Sequence, residues 1–265
     1  MRHHWLLLLA VIAAAPLWAQ SKAVNDGEHH GDPPFLLEDG WRPLLNGQDL
    51  SGWRCHPTHG NFEPGSNTWR ASRAVFWDPI GAPEALSPAG GPGDRITNGG
   101  KTCNLMTDEK HGDVELYVEF MVPEKSNSGV YLHGLYEVQV LDSWGKDTAG
   151  TGDCGAIYHR WIDGKGVGGS APKVNASLRP GRWQSFHIWF RGPRFDAAGK
   201  KIENARFLRV LHNGVLVQEN VEVDGGTRAH LPIDEAAMNP LMLQGDHGHV
   251  AYRNIYIRPL REIAR

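Results

Sequence analysis

Only three cysteines occur in the 265-residue chain, Cys55, Cys103 and Cys154. An odd number permits at most one disulfide and leaves a thiol over, and the spacings match no zinc pattern. The sequence leaves open which two would pair. Positive charge is not in excess either: 27 Lys and Arg stand against 30 Asp and Glu, a net charge of −3 with the 14 His neutral. Such a surface cannot neutralise a phosphate backbone, so nucleic acid is not expected as a partner. The longest apolar run, Trp5–Ala19, stops at 15 residues. That is short of the ~20 a spanning helix needs, so no membrane span is expected in the mature protein. Gly-x-Gly-x-x-Gly, Walker and Gly-x-Ser-x-Gly patterns are missing from any strand–turn–helix setting, and His-Glu-x-x-His is absent. Dinucleotide, nucleotide, α/β-hydrolase and zinc-protease chemistry therefore have no anchor. No internal repeat or charge-run linker divides the chain.

What is present is globular: 40% hydrophobic and 22% charged residues. Arg2, His3 and His4 precede the Trp5–Ala19 run, which ends in a small residue after Leu17-Trp18. This order reads as a secretory signal over residues 1–19. Residues 20–34, rich in His, Asp, Gly and Pro, read as a mobile leader. One domain over 35–265 follows, and export to a periplasm or the exterior is expected. Ten Trp is a high count. Most should be core, although a flat indole also stacks well on the C–H face of a sugar.

Period two dominates the folded part. In Asp113–Met121, Val114, Leu116, Val118 and Phe120 share one face and Glu115, Tyr117 and Glu119 the other. Gly129–Leu132, Tyr136–Leu141, Trp183–Phe190, Phe207–Leu211, Val215–Val221, Leu241–Gln244 and Val250–Ile257 read as further strands. Asn213-Gly214 between two apolar runs is a hairpin signal, because both positions tolerate positive φ. Trp53, Leu116, Val118, Phe120 and Ile255 are expected in the core. Only Ile233–Met238 hints at a helix. Asp78–Gly100, rich in Pro and Gly, and Trp144–Pro180 read as long loops, the second functional because it holds Tyr158, His159 and Trp161. Many short strands separated by turns predict an all-β fold, an antiparallel β-sandwich or jelly roll with very little helix.

Four segments carry a resemblance. They are Gly40–Trp53 (GWRPLLNGQDLSGW), Asn127–Asp142 (NSGVYLHGLYEVQVLD), Pro180–Trp183 and Leu243–Leu260 (LQGDHGHVAYRNIYIRPL). In this order they resemble the 3-keto-disaccharide hydrolase family of exported, concanavalin-like jelly rolls. The resemblance implies attack on the glycosidic bond of sugars already oxidised at C3. Two departures stand out. His133 occupies a position where the family carries Arg, and Arg191–Ala205 looks like an insertion.

Glu137 and Gln139 lie two apart on one strand and share a face, while Val138 and Val140 take the other. If the valines are core, Glu137 and Gln139 point to an open, concave face. Whether His133 joins them depends on the turn at Gly134. Ordinary glycoside hydrolysis uses two carboxylates. A 3-keto sugar has an acidified C2 proton, so one base and an oxyanion stabiliser suffice for elimination of the C1 substituent, with water adding later. On this reading Glu137, His247 and His159 are the catalytic candidates. Asn127, His133, Gln139, Asp142, Tyr158 and Gln244 are the substrate-binding candidates. Glu137, Gln139 and His247 could also hold a divalent ion. The competing reading is a non-catalytic carbohydrate-binding jelly roll: a shallow Trp-lined face would favour it, and a buried Glu137 ringed by polar groups would favour the enzyme. Protein recovered from outside the cytoplasm should begin at Gln20 or Ser21, and N-terminal sequencing that returned Met1 would overturn the signal assignment.

Overall fold

The computed structural model describes residues 33–56 and 67–261. The predicted signal and nearly all of the predicted leader lie outside these residues. The described chain is almost wholly β. Its one helix is the single turn Pro34–Leu37.

Two antiparallel sheets face each other. The larger runs in the order Val215–Val223, Ala205–His212, Gln184–Arg191, Val114–Met121, Ala251–Pro259, Arg95–Thr97, Arg70–Ser72, with Arg42–Pro43 pairing beside Ala251–Pro259. The smaller runs Tyr136–Leu141, Asn127–Leu132, Asn239–Leu243, Asn104–His111, Trp53–His56. Between them lies one apolar core. Leu116, Val118, Phe120, Phe186 and Ile188 enter it from the larger sheet, and Val130, Leu132, Val138, Val140 and Leu243 from the smaller. Trp53 and Ile255, expected inside, are buried with them. This is the jelly-roll architecture that the alternating pattern predicts.

The turns follow local chemistry. Asn213 and Gly214 both take positive φ, 51° and 80°, closing the hairpin of Ala205–His212 with Val215–Val223. Cys55 pairs with Cys103 and ties the edge strand Trp53–His56 to the start of Asn104–His111, while Cys154 stays free and fully buried.

Two expectations are corrected. Ile233–Met238 is not helical. Six residues barely exceed the costly helix nucleus, and tertiary contacts claim them individually. Ile233 packs on the core, Glu235 accepts from the Tyr136 hydroxyl and Lys201, and the Asp234 carbonyl accepts from Asn239. Nor is Asp78–Gly100 a loop. Ala82–Ala89 is a strand paired with Ala74–Asp78, and Arg95–Thr97 joins the larger sheet. Pro83 and Pro88 are tolerated because this ribbon has only two strands and so only one laddered side.

Phe120 is fully buried and its ring lies 4.7 Å from that of Phe186. Phe120→Ala should cost ~3–5 kcal/mol in denaturant unfolding; a loss within ~0.5 kcal/mol would place the side chain at the surface.

Candidate active site

The site is built on the hairpin of Asn127–Leu132 with Tyr136–Leu141. Its turn, His133-Gly134-Leu135, pairs Tyr136 with Leu132 and hence Glu137 with Tyr131 and Gln139 with Gly129. His133 takes φ 55° there, and its ring meets Phe190 at 5.1 Å, edge to face. It is buried at the end of the core, its Nε2 against the Gly112 carbonyl. His133 is thus not beside Glu137, and its proposed substrate role has no support in this geometry. Asp142 also lies apart, at the strand end, where its carboxylate accepts from the Lys125 backbone.

The neighbouring chains extend the hairpin on both sides. Met242 pairs with Tyr131, and the Gln244 backbone N–H donates to the Gly129 carbonyl. On the other side Ile157 bridges Val138, so Tyr158 lies opposite Glu137 and Ala156 opposite Gln139. Backbone bonds Tyr158 to Glu137 and Gln139 to Ala156 hold this edge. With side chains alternating, one row across the sheet reads Met242, Tyr131, Glu137, Tyr158. The next reads Gln244, Gly129, Gln139, Ala156. Asn127, two residues beyond Gly129, shares that face.

Glu137 and Gln139 therefore turn away from Val138 and Val140, as the alternation requires, but their face is not open. Glu137 is 2% and Gln139 3% exposed. Residues 153–158 pair along the hairpin edge and residues 227–231 strap its turn. In the second segment Thr227 accepts from the Glu137 backbone and bonds back to Leu135, and the Leu231 N–H donates to the Gly134 carbonyl.

Burial sets the chemistry of Glu137. It lifts the carboxyl from its ordinary 4.5 to about 8, with the negative charge of Asp246 adding to the effect. A hydrogen bond from the Tyr131 phenol opposes part of the rise, and the same hydroxyl also lies 3.0 Å from the Arg228 carbonyl. Gly129 makes room for this carboxyl, since a Cβ there would lie 2.3 Å from Glu137 Oε1.

His247 enters through its neighbour. Its Nδ1 meets the Asp246 carboxylate, which is 7% exposed while the imidazole is 46% exposed. In the neutral ring, a carboxylate on Nδ1–H leaves Nε2 as the lone-pair acceptor. His159 stacks on Tyr158 with ring centroids 4.1 Å apart, and Trp161 follows at 6.1 Å from His159. Two amide oxygens on the site face, Gln139 Oε1 and Asn127 Oδ1, are buried without a partner. The Gln139 amide nitrogen donates to the Gly152 carbonyl. Glu137, Gln139, Asn127, Gln244, Tyr158, His159 and His247 thus border one site. Tyr131, Asp246 and Arg228 belong to it as well and were not singled out from sequence. Tyr131 lay two residues before the turn whose length decides its partner, and only that register could have exposed it.

The residues do not fit a divalent ion. Among the described residues no three His, Cys, Asp or Glu side chains converge.

Fold and site together define a carbohydrate-active jelly roll of the glycosyl hydrolase and lyase kind. More narrowly, the chain belongs to the 3-keto-alpha-glucoside-1,2-lyase-like family, whose domain matches residues 40–258. Among solved structures, a protein of Parabacteroides distasonis ATCC 8503 proposed to be a glycosyl hydrolase is 26% identical. It covers 84% of each chain at a TM-score of 0.56. A second such protein from that organism, 15% identical, shares the fold at a TM-score of 0.51 over 88% of this chain and 100% of its own. No curated protein matches the chain in sequence.

Glu137 should make stability depend on pH. The unfolded chain loses this proton near 4.5 and the folded chain near 8. Between those values the folded state holds the extra proton, so stability falls as pH rises. Glu137→Gln copies the neutral form and should remove this penalty. The variant should gain roughly 3–5 kcal/mol over the parent by pH 8 and little at pH 4. A pH-independent difference in unfolding free energy would refute the buried, proton-holding carboxyl.

Proposed function

We propose that the chain is an exported enzyme that cleaves the glycosidic bond of sugars bearing a ketone at C3, by elimination across C1 and C2 followed by hydration. The observation that carries this reading is the pairing of two unlike proton carriers in one site. Glu137 is buried and proton-holding, and His247 is oriented by Asp246 through its Nδ1. The family match supports the sugar class. A shallow Trp-lined face would instead favour a binding module; here a buried Glu137 stands beside polar side chains.

The roles follow from the proton positions. His247 Nε2 removes the C2 proton, which the neighbouring ketone acidifies, and the electron pair moves onto the C3 oxygen. Tyr158 is the hydroxyl donor for that oxyanion. Burial keeps its phenol protonated well past neutrality. The enolate then collapses, C1=C2 forms, the C1–O bond breaks, and Glu137 gives its proton to the departing oxygen. Water adds to the unsaturated sugar, and solvent returns a proton to Glu137 and takes one from His247. Glu137 thus acts as the acid, in place of the base that an ordinary carboxylate would be.

On a 3-keto glucoside, kcat/KM should fall as pH rises through about 8, because Glu137 loses its proton there. Glu137→Gln should lower turnover by ~10²–10⁴-fold while the protein stays folded. Activity that climbed through the same pH range would make Glu137 the base. Unchanged kcat in Glu137→Gln would remove it from the reaction and favour the binding module.

A further inference from the structure

Glu137 stands between two unlike surfaces. Toward Gln139 and Asn127 the site offers buried, unpartnered amide oxygens, which suit the hydroxyl donors of the reacting sugar. In the opposite direction along the same edge the lining is aromatic. Tyr158 neighbours Glu137 and stacks on His159. Trp161 comes next, on a small two-stranded hairpin of Arg160–Ile162 with Lys165–Val167.

This hairpin is presented outward. Trp161 is 49% exposed, and Ile162 and Val167 are also exposed. Asp163 and Gly164 take φ 49° and 76°, giving it a tight tip. Trp161 is nevertheless held. The Arg228 guanidinium lies over its ring at 4.0 Å, while the Arg228 backbone N–H donates to the His159 carbonyl. The Arg228 carbonyl accepts from Tyr131, the partner of Glu137. One residue thus ties the exposed indole to the partner of Glu137. A Trp that binds the leaving group is held in place by that link.

We infer that the Arg160–Val167 hairpin is the leaving-group subsite, with Trp161 stacking on the flat face of the departing ring, aryl or pyranose, and His159 lying between it and the scissile oxygen. A flat apolar ring on indole gains contact area and favourable geometry. A small alkyl leaving group reaches neither residue. This inference rests on the proposed reaction for its kinetic arm only.

The test compares Trp161→Ala and Trp161→Phe with the parent on phenyl and methyl 3-keto-glucosides. A calorimetric arm uses unoxidised phenyl and methyl α-glucosides, which need no chemistry to bind. Trp161→Ala should raise KM for the phenyl substrate ~10-fold, leave kcat and the methyl substrate within about twofold, and weaken phenyl glucoside binding by a similar factor. Trp161→Phe should recover most of the loss. Equal losses on both substrates, no loss on either, or no preference of the parent for phenyl over methyl glucoside in calorimetry would overturn the subsite. Phenyl glucoside binding that depends on Trp161, in a protein without activity on 3-keto sugars, would keep the subsite and reject the reaction.

Discussion

The register of one hairpin governs the site. Because strand side chains alternate, a one-residue slip of Tyr136–Leu141 against Asn127–Leu132 would exchange Val138 and Val140 for Glu137 and Gln139 in the core. Two features oppose that slip. The turn takes positive φ at His133 and Gly134, and Leu231 packs so closely that a Cβ at Gly134 would meet its Cδ1 at 2.4 Å. Core packing then holds the valines, and the 227–231 strap holds the backbone of Gly134, Leu135 and Glu137.

The two sheets handle buried carboxyls in opposite ways. On the outer face of the larger sheet, Glu115 is 2% exposed, as buried as Glu137. Burial alone would raise it, but His187 and Arg258 outweigh that and hold it below its ordinary value. Glu119 on the same face meets Arg253 and Asn254. These ion pairs lie under the N-terminal segment, where Phe35 stacks on Tyr256 at 3.9 Å and Glu38 reaches Arg258. Among the described residues no salt bridge reaches Glu137, and the charge that acts on it is Asp246, of like sign. The same desolvation gives an ionised structural carboxylate in one sheet and a proton reservoir in the other, and the neighbour decides which.

Local pattern was enough to read the all-β class, the core phase of Val114, Leu116, Val118 and Phe120, the Asn213-Gly214 turn, and the shared face of Glu137 and Gln139. Each follows from local periodicity or from the φ preferences of one or two residues. Long-range packing settles that His133 belongs to the core, that Asp142 stands apart, that Cys55 rather than Cys154 joins Cys103, and that Ile233–Met238 is not a helix. It also brought Tyr131, Asp246 and Arg228 to Glu137 and closed the face that alternation left open. The reason is physical. Whether a carboxyl keeps its proton depends on the water removed from it and on the charges beside it. Those are supplied by segments some 20 to 110 residues away in sequence, which periodicity does not register.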